Sequence, residues 1–264
     1  GRLVPQIVYY VYAYAKLLQN EEIVAGEEIN VVVPTGNFGN ILAAYFAKHM
    51  GVPIGQLICA SNDNKVLFDF FETGVYDRNR EFILTISPSM DILISSNLER
   101  LVYMIAGCDA NKNSELMKAL KEKGVYELSE DMKANLSDFA AGYATEAEVK
   151  EKIADTYKKT GYVMDTHTAV AASVYEKYRQ ESGDGRKTVI ASTASPYKFS
   201  RSVMTAIDAN YESLEEFELI DALEVISNVD IPNAVEEIRD AKILHTLECD
   251  ADKMEETVKN ILKG

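Results

Sequence analysis

The chain has 264 residues, 47% of them apolar, with 15 Tyr and 9 Phe. That length and apolar content suffice for a sizeable core and set aside an intrinsically disordered chain. The formal charge of −15 repels phosphate backbones and anionic lipid, which sets aside nucleic acid and membrane surfaces as partners.

The chain opens at Gly1 without a methionine and runs at once into an apolar, aromatic stretch at residues 3–18. This start reads as an excision point. Leu3, Ile7, Val8, Val11 and Tyr12 recur at helical spacing with Tyr9, Tyr10 and Tyr14 between them, which predicts a largely buried helix. After a polar break at residues 20–26, the β-branched run at 29–33 reads as a buried strand, ended by Pro34. A tight loop follows at 35–40, then a helix at 41–50 with Gly51 as its stop. Leu57-Ile58-Cys59-Ala60 supplies a second strand. Together these make a βαβ unit, which implies a parallel sheet with a right-handed crossover.

Residues 62–79 read as a polar turn, a short aromatic helix and a break at Gly74. A helix is predicted over 92–106, and residues 111–160 read as a peripheral helical region rather than a separate domain. Another helix covers 166–179. Residues 187–191 form a further buried strand that runs into Ser192-Thr193-Ala194-Ser195-Pro196 and a helix over 197–207. From residue 214 the pattern is helical, with a strand at 243–247 and a last helix at 252–262. The whole of 1–264 is taken as one domain. The expected fold is α/β, an open and mostly parallel sheet with helices on both faces. Such sheets bind ligands at the carboxyl ends of their strands, where the loops 35–40 and 192–196 lie.

Cys59, Cys108 and Cys249 are odd in number and have no metal spacing, so they read as reduced thiols packed as small core residues in a cytoplasmic protein. No metal site is expected. No secretory signal is visible, nor any uncharged apolar run of bilayer length.

The loop at 35–40 carries the strongest chemical signal. Gly36 and Gly39 allow a tight turn and a close approach of the backbone to a ligand. The loop opens a helix, so free N–H groups and the positive dipole end gather there, and a phosphate is the natural guest. Asn37 and Asn40 add side-chain amides, and Asn40 is also able to cap the helix. The pattern lacks the Gly-Lys-Ser/Thr ending of a Walker loop and is not a dinucleotide fingerprint. The alternative is a plain capped turn. Thr193, just past a buried strand, has two readings: a hydroxyl facing a ligand ring nitrogen, or a helix cap.

Pro34-Thr35-Gly36-Asn37-Phe38-Gly39-Asn40-Ile41-Leu42-Ala43 resembles the cofactor phosphate loop of threonine synthases. Ser192-Thr193-Ala194-Ser195-Pro196-Tyr197-Lys198-Phe199 resembles their S-T-A-H-P-x-K-F loop. The opening ten residues, Ser87-Pro88-Ser89-Met90-Asp91-Ile92, Ser95-Ser96-Asn97-Leu98-Glu99-Arg100, Asp165-Thr166-His167-Thr168-Ala169-Val170 and Ile243-Leu244-His245 are similar too, in the family's order. The resemblance implies the large domain of a fold type II enzyme dependent on pyridoxal 5′-phosphate (PLP), truncated. It implies conversion of O-phospho-L-homoserine and water to L-threonine and phosphate, a carbon–oxygen lyase reaction of threonine biosynthesis. By the same resemblance Gly36, Asn37, Phe38, Gly39 and Asn40 hold the PLP phosphate, and Thr193 hydrogen-bonds the pyridine nitrogen. Ser195 stands where many members have histidine. The family's F-K-D motif with its Schiff-base lysine, and its Gly-Asp-Thr-Gly substrate loop, have no match in these residues and are expected upstream. The chain alone is therefore expected to be inactive, with no catalytic residue of its own.

Other residues remain open at this stage. Lys198 reads as a solvated surface cation. His167 is either a general base or phosphate contact, or a capping and packing residue; His49 and His245 read as structural or surface. Asp91, Asn97 and Arg100 could hold a substrate phosphate or serve an interface. The competing functions are another fold type II PLP enzyme and a non-catalytic module that holds a phosphorylated ligand. An uncovered aromatic first helix would promote self-association.

Overall fold

The computed structural model describes residues 1–263. Helix α1 spans Val4–Gln19, strand β1 Ile29–Pro34, α2 Gly39–His49 and β2 Ile54–Ser61. Then come α3 at Val66–Thr73, β3 at Val75–Asp77, α4 at Leu98–Ile105 and α5 at Ala110–Lys123. They are followed by β4 at Val125–Glu127, α6 at Glu130–Ala134, β5 at Phe139–Tyr143 and α7 at Glu146–Thr160. Next are α8 at Thr166–Ser182, β6 at Thr188–Ile190, α9 at Ser200–Ile207 and α10 at Glu216–Ser227.

Four strands form one sheet in the order β5-β2-β1-β6, and every pairing in it is parallel. All six residues of β1 are buried, as a central strand covered on both faces requires. Val31 and Val33 join the cluster that holds Ile41 and Leu42 of α2. Val32 and Ile58 point to the opposite face by the period of two, and both are fully buried. Helix α8 packs across β1 and β2. The expected α/β sheet with helices around it is therefore present. A separate antiparallel pair joins β3 to β4 through Tyr76 and Tyr126, whose rings stack at 5.4 Å.

Several elements differ from expectation. Residues 111–160 carry α5, α6 and α7, but they also supply β5, the edge strand of the main sheet. Its sequence, Phe-Ala-Ala-Gly-Tyr, has little β propensity of its own; pairing with β2 makes it a strand. The helix predicted over 92–106 starts only at Leu98. Helix α1 is not largely buried. Tyr10 and Tyr14 are buried, whereas Val4, Val8 and Tyr12 are each more than 60% exposed. Of the cysteines only Cys59 is a core residue, with burial pushing its thiol up to about 12; Cys108 and Cys249 are exposed.

Residues 1–229 form one compact unit, and a second begins at Asp230. The second contains the short helix α11 at Asn233–Glu236 and α12 at Met254–Lys263. The strand expected at 243–247 is absent, because no partner strand pairs with that stretch. No helix among the described residues is long and apolar enough to cross a membrane.

Candidate functional site

Strands β1 and β6 run side by side in parallel, in register from Asn30 opposite Thr188 to Val32 opposite Ile190. Their carboxyl ends therefore deliver the loops 35–40 and 192–196 to the same edge of the sheet. An open cleft of about 1460 Å³ lies there. Gly36, Asn37, Phe38, Gly39, Asn40 and Thr193 all line it. All six residues singled out by the sequence thus come together, although more than 150 positions separate Asn40 from Thr193.

The turn is built by burying a side chain. Phe38 is the N-cap of α2 and adopts a left-handed conformation with φ of 61°. A bulky residue tolerates that region only where its surroundings fix it. Its ring is buried 6.0 Å from Phe71 and 5.8 Å from Phe139, and this packing holds the turn. Phe38 therefore offers the cleft its backbone, not its ring. Among the described residues, the N–H groups of 36–40 donate to no protein acceptor, as expected for the first turn of a helix. They are concentrated donors beside the positive end of α2.

Asn40 does not cap α2, because it lies one residue inside the helix and the cap position belongs to Phe38. Its Oδ1 instead accepts a hydrogen bond from the Tyr10 hydroxyl. Burial pushes the Tyr10 phenol well above its ordinary value, so it remains the donor, and the Asn40 amide N–H₂ stays available. The Asn37 carbonyl accepts from the backbone N–H and the side-chain Nδ2 of Asn97, at 3.1 and 2.7 Å. The Gly36 carbonyl accepts from Ser95 Oγ at 2.8 Å.

In the second loop the turn cap and the cleft wall are supplied by different residues. Ser195 Oγ accepts from the N–H of Tyr197 at 3.3 Å and caps the short turn that follows. Thr193 is left exposed in the cleft wall, and its hydroxyl has no protein partner among the described residues. Ser195 is thus a capping residue here.

His167 also lines the cleft, but its neighbour Asp165 is the cap of α8. Asp165 accepts from the N–H groups of His167 and Thr168 at 2.8 and 3.1 Å. His167 Nε2 accepts the Ser89 N–H at 3.2 Å, which places its own proton on Nδ1, facing Asp165 Oδ1 at 3.5 Å. Asn97 and Arg100 line the cleft, with Arg100 Nη1 donating to Asn97 Oδ1 at 3.0 Å. Asp91 does not line it, nor does Lys198, whose ammonium sits 5.5 Å from the Phe199 ring. His49 is packed on Tyr45, away from the cleft, and His245 is exposed in the second unit. The sequence singled out Asp91, Asn97, Arg100 and the motifs around them, but not that Ser95 and Asn97 bond to the 36–40 loop. Those bonds span about 60 residues and leave no local spacing signal.

A parallel α/β sheet with an open cleft at the carboxyl ends of two adjacent strands, and unpartnered N–H groups after the first of them, defines an α/β protein with a polar cleft at its sheet edge. Residues 168–243 match the family profile described as threonine synthase, C-terminal, and the chain belongs to the threonine synthase family. Threonine synthase-like 1 of Pongo abelii is 44% identical over 209 residues, covering 78% of this chain and 28% of that protein. The crystal structure of PLP-bound threonine synthase from Brucella melitensis matches with a TM-score of 0.72 at 36% identity, covering 86% of this chain and 50% of that one. The crystal structure of threonine synthase from yeast matches with a TM-score of 0.83 at 30% identity, covering 99% of this chain and 51% of that one. The chain thus spans between 28% and about half of the length of these relatives.

Proposed function

We propose that this chain supplies the cofactor-phosphate cradle and the ring-side wall of a PLP-dependent threonine synthase. In this reading the whole enzyme converts O-phospho-L-homoserine and water to L-threonine and phosphate. The observation that carries it is the convergence of the 36–40 loop and Thr193 in one cleft. The residues fit the cofactor: unpartnered N–H donors suit a phosphate, and an unpartnered hydroxyl suits a ring nitrogen.

Bound there, PLP would supply an electron-withdrawing ring that stabilises carbanionic charge on a substrate. The N–H groups of residues 36–40 would hold its phosphate, with the Asn40 amide adding a donor. Thr193, being neutral, would hydrogen-bond the ring nitrogen without protonating it, which suits elimination chemistry. Arg100, steadied by Asn97, has the forked donor geometry for a second phosphate, that of the substrate. The cofactor-anchoring lysine of the family has no counterpart in these residues, so the chain alone binds without turnover in this reading. The lack of an F-K-D lysine motif in these residues supports a second reading, a non-catalytic module that holds a phosphorylated ligand. Phosphate release from O-phosphohomoserine by the full-length protein separates the two.

The direct test is titration of the chain with PLP, then borohydride reduction and peptide mapping. The expected result is weak binding that inorganic phosphate competes away, with no stoichiometric lysine adduct. A single adduct at Lys198 would sink the assignment. We also propose a cytoplasmic setting, supported by three free cysteines among the described residues, and self-association through the outer face of α1. That face exposes Val4, Val8, Val11 and Tyr12 in one stripe. Sedimentation velocity should show mass increasing with concentration, and a concentration-independent monomer would refute it.

A further inference from the structure

Residues 85–97 form a strap that no regular element contains, apart from one short turn at Pro88–Met90. One end of the strap is tied to the end of β2. There Asp91 Oδ1 accepts from Asn62 Nδ2 at 2.7 Å, from Asn64 Nδ2 at 3.0 Å and from Thr85 Oγ1 at 2.8 Å. Asp91 Oδ2 accepts from the Thr85 N–H at 2.9 Å. Asn62 and Asn64 are buried, so these are not loose surface bonds. In the middle, the Tyr76 hydroxyl donates to the Leu93 carbonyl at 3.0 Å and accepts the Ser95 N–H at 2.8 Å.

The other end grips the anion loop. Ser95 Oγ donates to the Gly36 carbonyl, and Asn97 donates twice to the Asn37 carbonyl. Peptide units are planar and trans, so each carbonyl fixes the N–H of the next residue in the opposite direction. Holding the carbonyls of Gly36 and Asn37 toward the strap therefore aims the N–H groups of Asn37 and Phe38 away from it. Two of the cradle's donors are oriented by bonds made on their far side.

We infer that Asp91 is a positioning residue for the anion site, acting through the strap on the peptide planes of Gly36 and Asn37. The inference rests on the proposed phosphate-cradle function. Asp91 itself touches no ligand. An amide at 91 would set a donor against the Thr85 N–H or against the Asn62 and Asn64 amides. The strap would then lose its register, and the carbonyl clamp with it.

The test uses the 264-residue chain with PLP and inorganic phosphate as probes, followed by phosphorus NMR and thermal melting. D91N and Y76F remove different anchors of the same strap. Each should weaken PLP about tenfold, equivalent to ~1.4 kcal/mol, and move the bound phosphorus resonance toward that of free PLP. The double variant should be less than additive, because the two residues act through one element. N30A is the structural control. Asn30 lies at the amino end of β1, where it donates to Asp184 at 2.9 Å and accepts from Gln56 N–H at 2.9 Å. It should lower the melting temperature without changing PLP affinity. Parent-like affinity in D91N, or an equal loss in N30A, overturns the inference while leaving the phosphate cradle intact. Failure of the parent itself to bind either probe overturns both.

Discussion

Replacing Gly36 with alanine should reduce phosphate-group binding by about a hundredfold, or ~2.7 kcal/mol. A Cβ at this position would lie 2.7 Å from the Ser89 carbonyl oxygen and 3.3 Å from the Met90 Cα. Both neighbours are backbone, so no side chain can swing aside. The strap cannot yield easily either, since Asp91, Tyr76 and His167 all hold it. The loop must therefore move, and with it the row of N–H donors. Gly39 offers the comparison. Its Cβ would meet the Asn97 Nδ2 and Leu3 Cδ2 at 3.4 Å, both side-chain atoms that can adjust. G36A should lose thermal stability together with PLP affinity, whereas G39A should melt near the parent. Equilibrium dialysis with PLP and a thermal melt decide the matter. Parent-like affinity in G36A would show that the strap contact is not what places the loop.

The contrast between these two glycines illustrates what a sequence can and cannot convey. That both occur in the loop, after a β-branched run and before a helix of small apolar residues, was readable because each signal is local. The reason Gly36 cannot bear a methyl group was not readable. It depends on a backbone segment 53 positions later. The same segment explains the late start of α4. Residues 92–97 hold two Ile, two Ser and one Asn, all weak helix formers, and Ser95 and Asn97 give hydrogen bonds to Gly36 and Asn37. The tyrosine-rich first helix misled for a different reason. Its apolar residues run nearly all round, yet only the face of Tyr10 and Tyr14 meets α2 and the loop. Amphipathic pattern reports which face could be buried, not what is there to bury it. Thr193 was ambiguous between cap and ligand contact because both need a hydroxyl after a strand. The bond from the Tyr197 N–H to Ser195 Oγ gives the cap to Ser195, which no local pattern distinguishes from a cap at Thr193.

Loss of the Asp165 carboxylate should cost about 3 kcal/mol of stability, combining a helix cap with a buried hydrogen-bond hub. Asp165 is 1% exposed and precedes a first turn in which Thr166, His167 and Thr168 are also buried. Water cannot replace it as the acceptor for the His167 and Thr168 N–H groups, and the Thr168 hydroxyl is left with Ser192 Oγ, at 3.1 Å, as its remaining partner. Burial alone would push this carboxyl up. The hydrogen bonds from His167 and Thr168, through side chains and N–H groups, outweigh it and hold the group below its ordinary value. A carboxyl depressed by folding stabilises the fold fully above its unfolded value of about 3.9 and loses that contribution as pH falls through the folded value. The stability gap between parent and D165A should thus be constant above about pH 5 and shrink below about pH 4. D165N should recover part of the loss, since asparagine also caps helices but accepts with one oxygen only. Urea melts of the three proteins from neutral to acid pH test this. A gap that does not narrow in acid would mean that Asp165 acts through packing rather than charge. Because the turn it caps carries His167, and His167 accepts from Ser89 in the strap, D165A should also weaken the proposed phosphate cradle, whereas D165N should largely spare it.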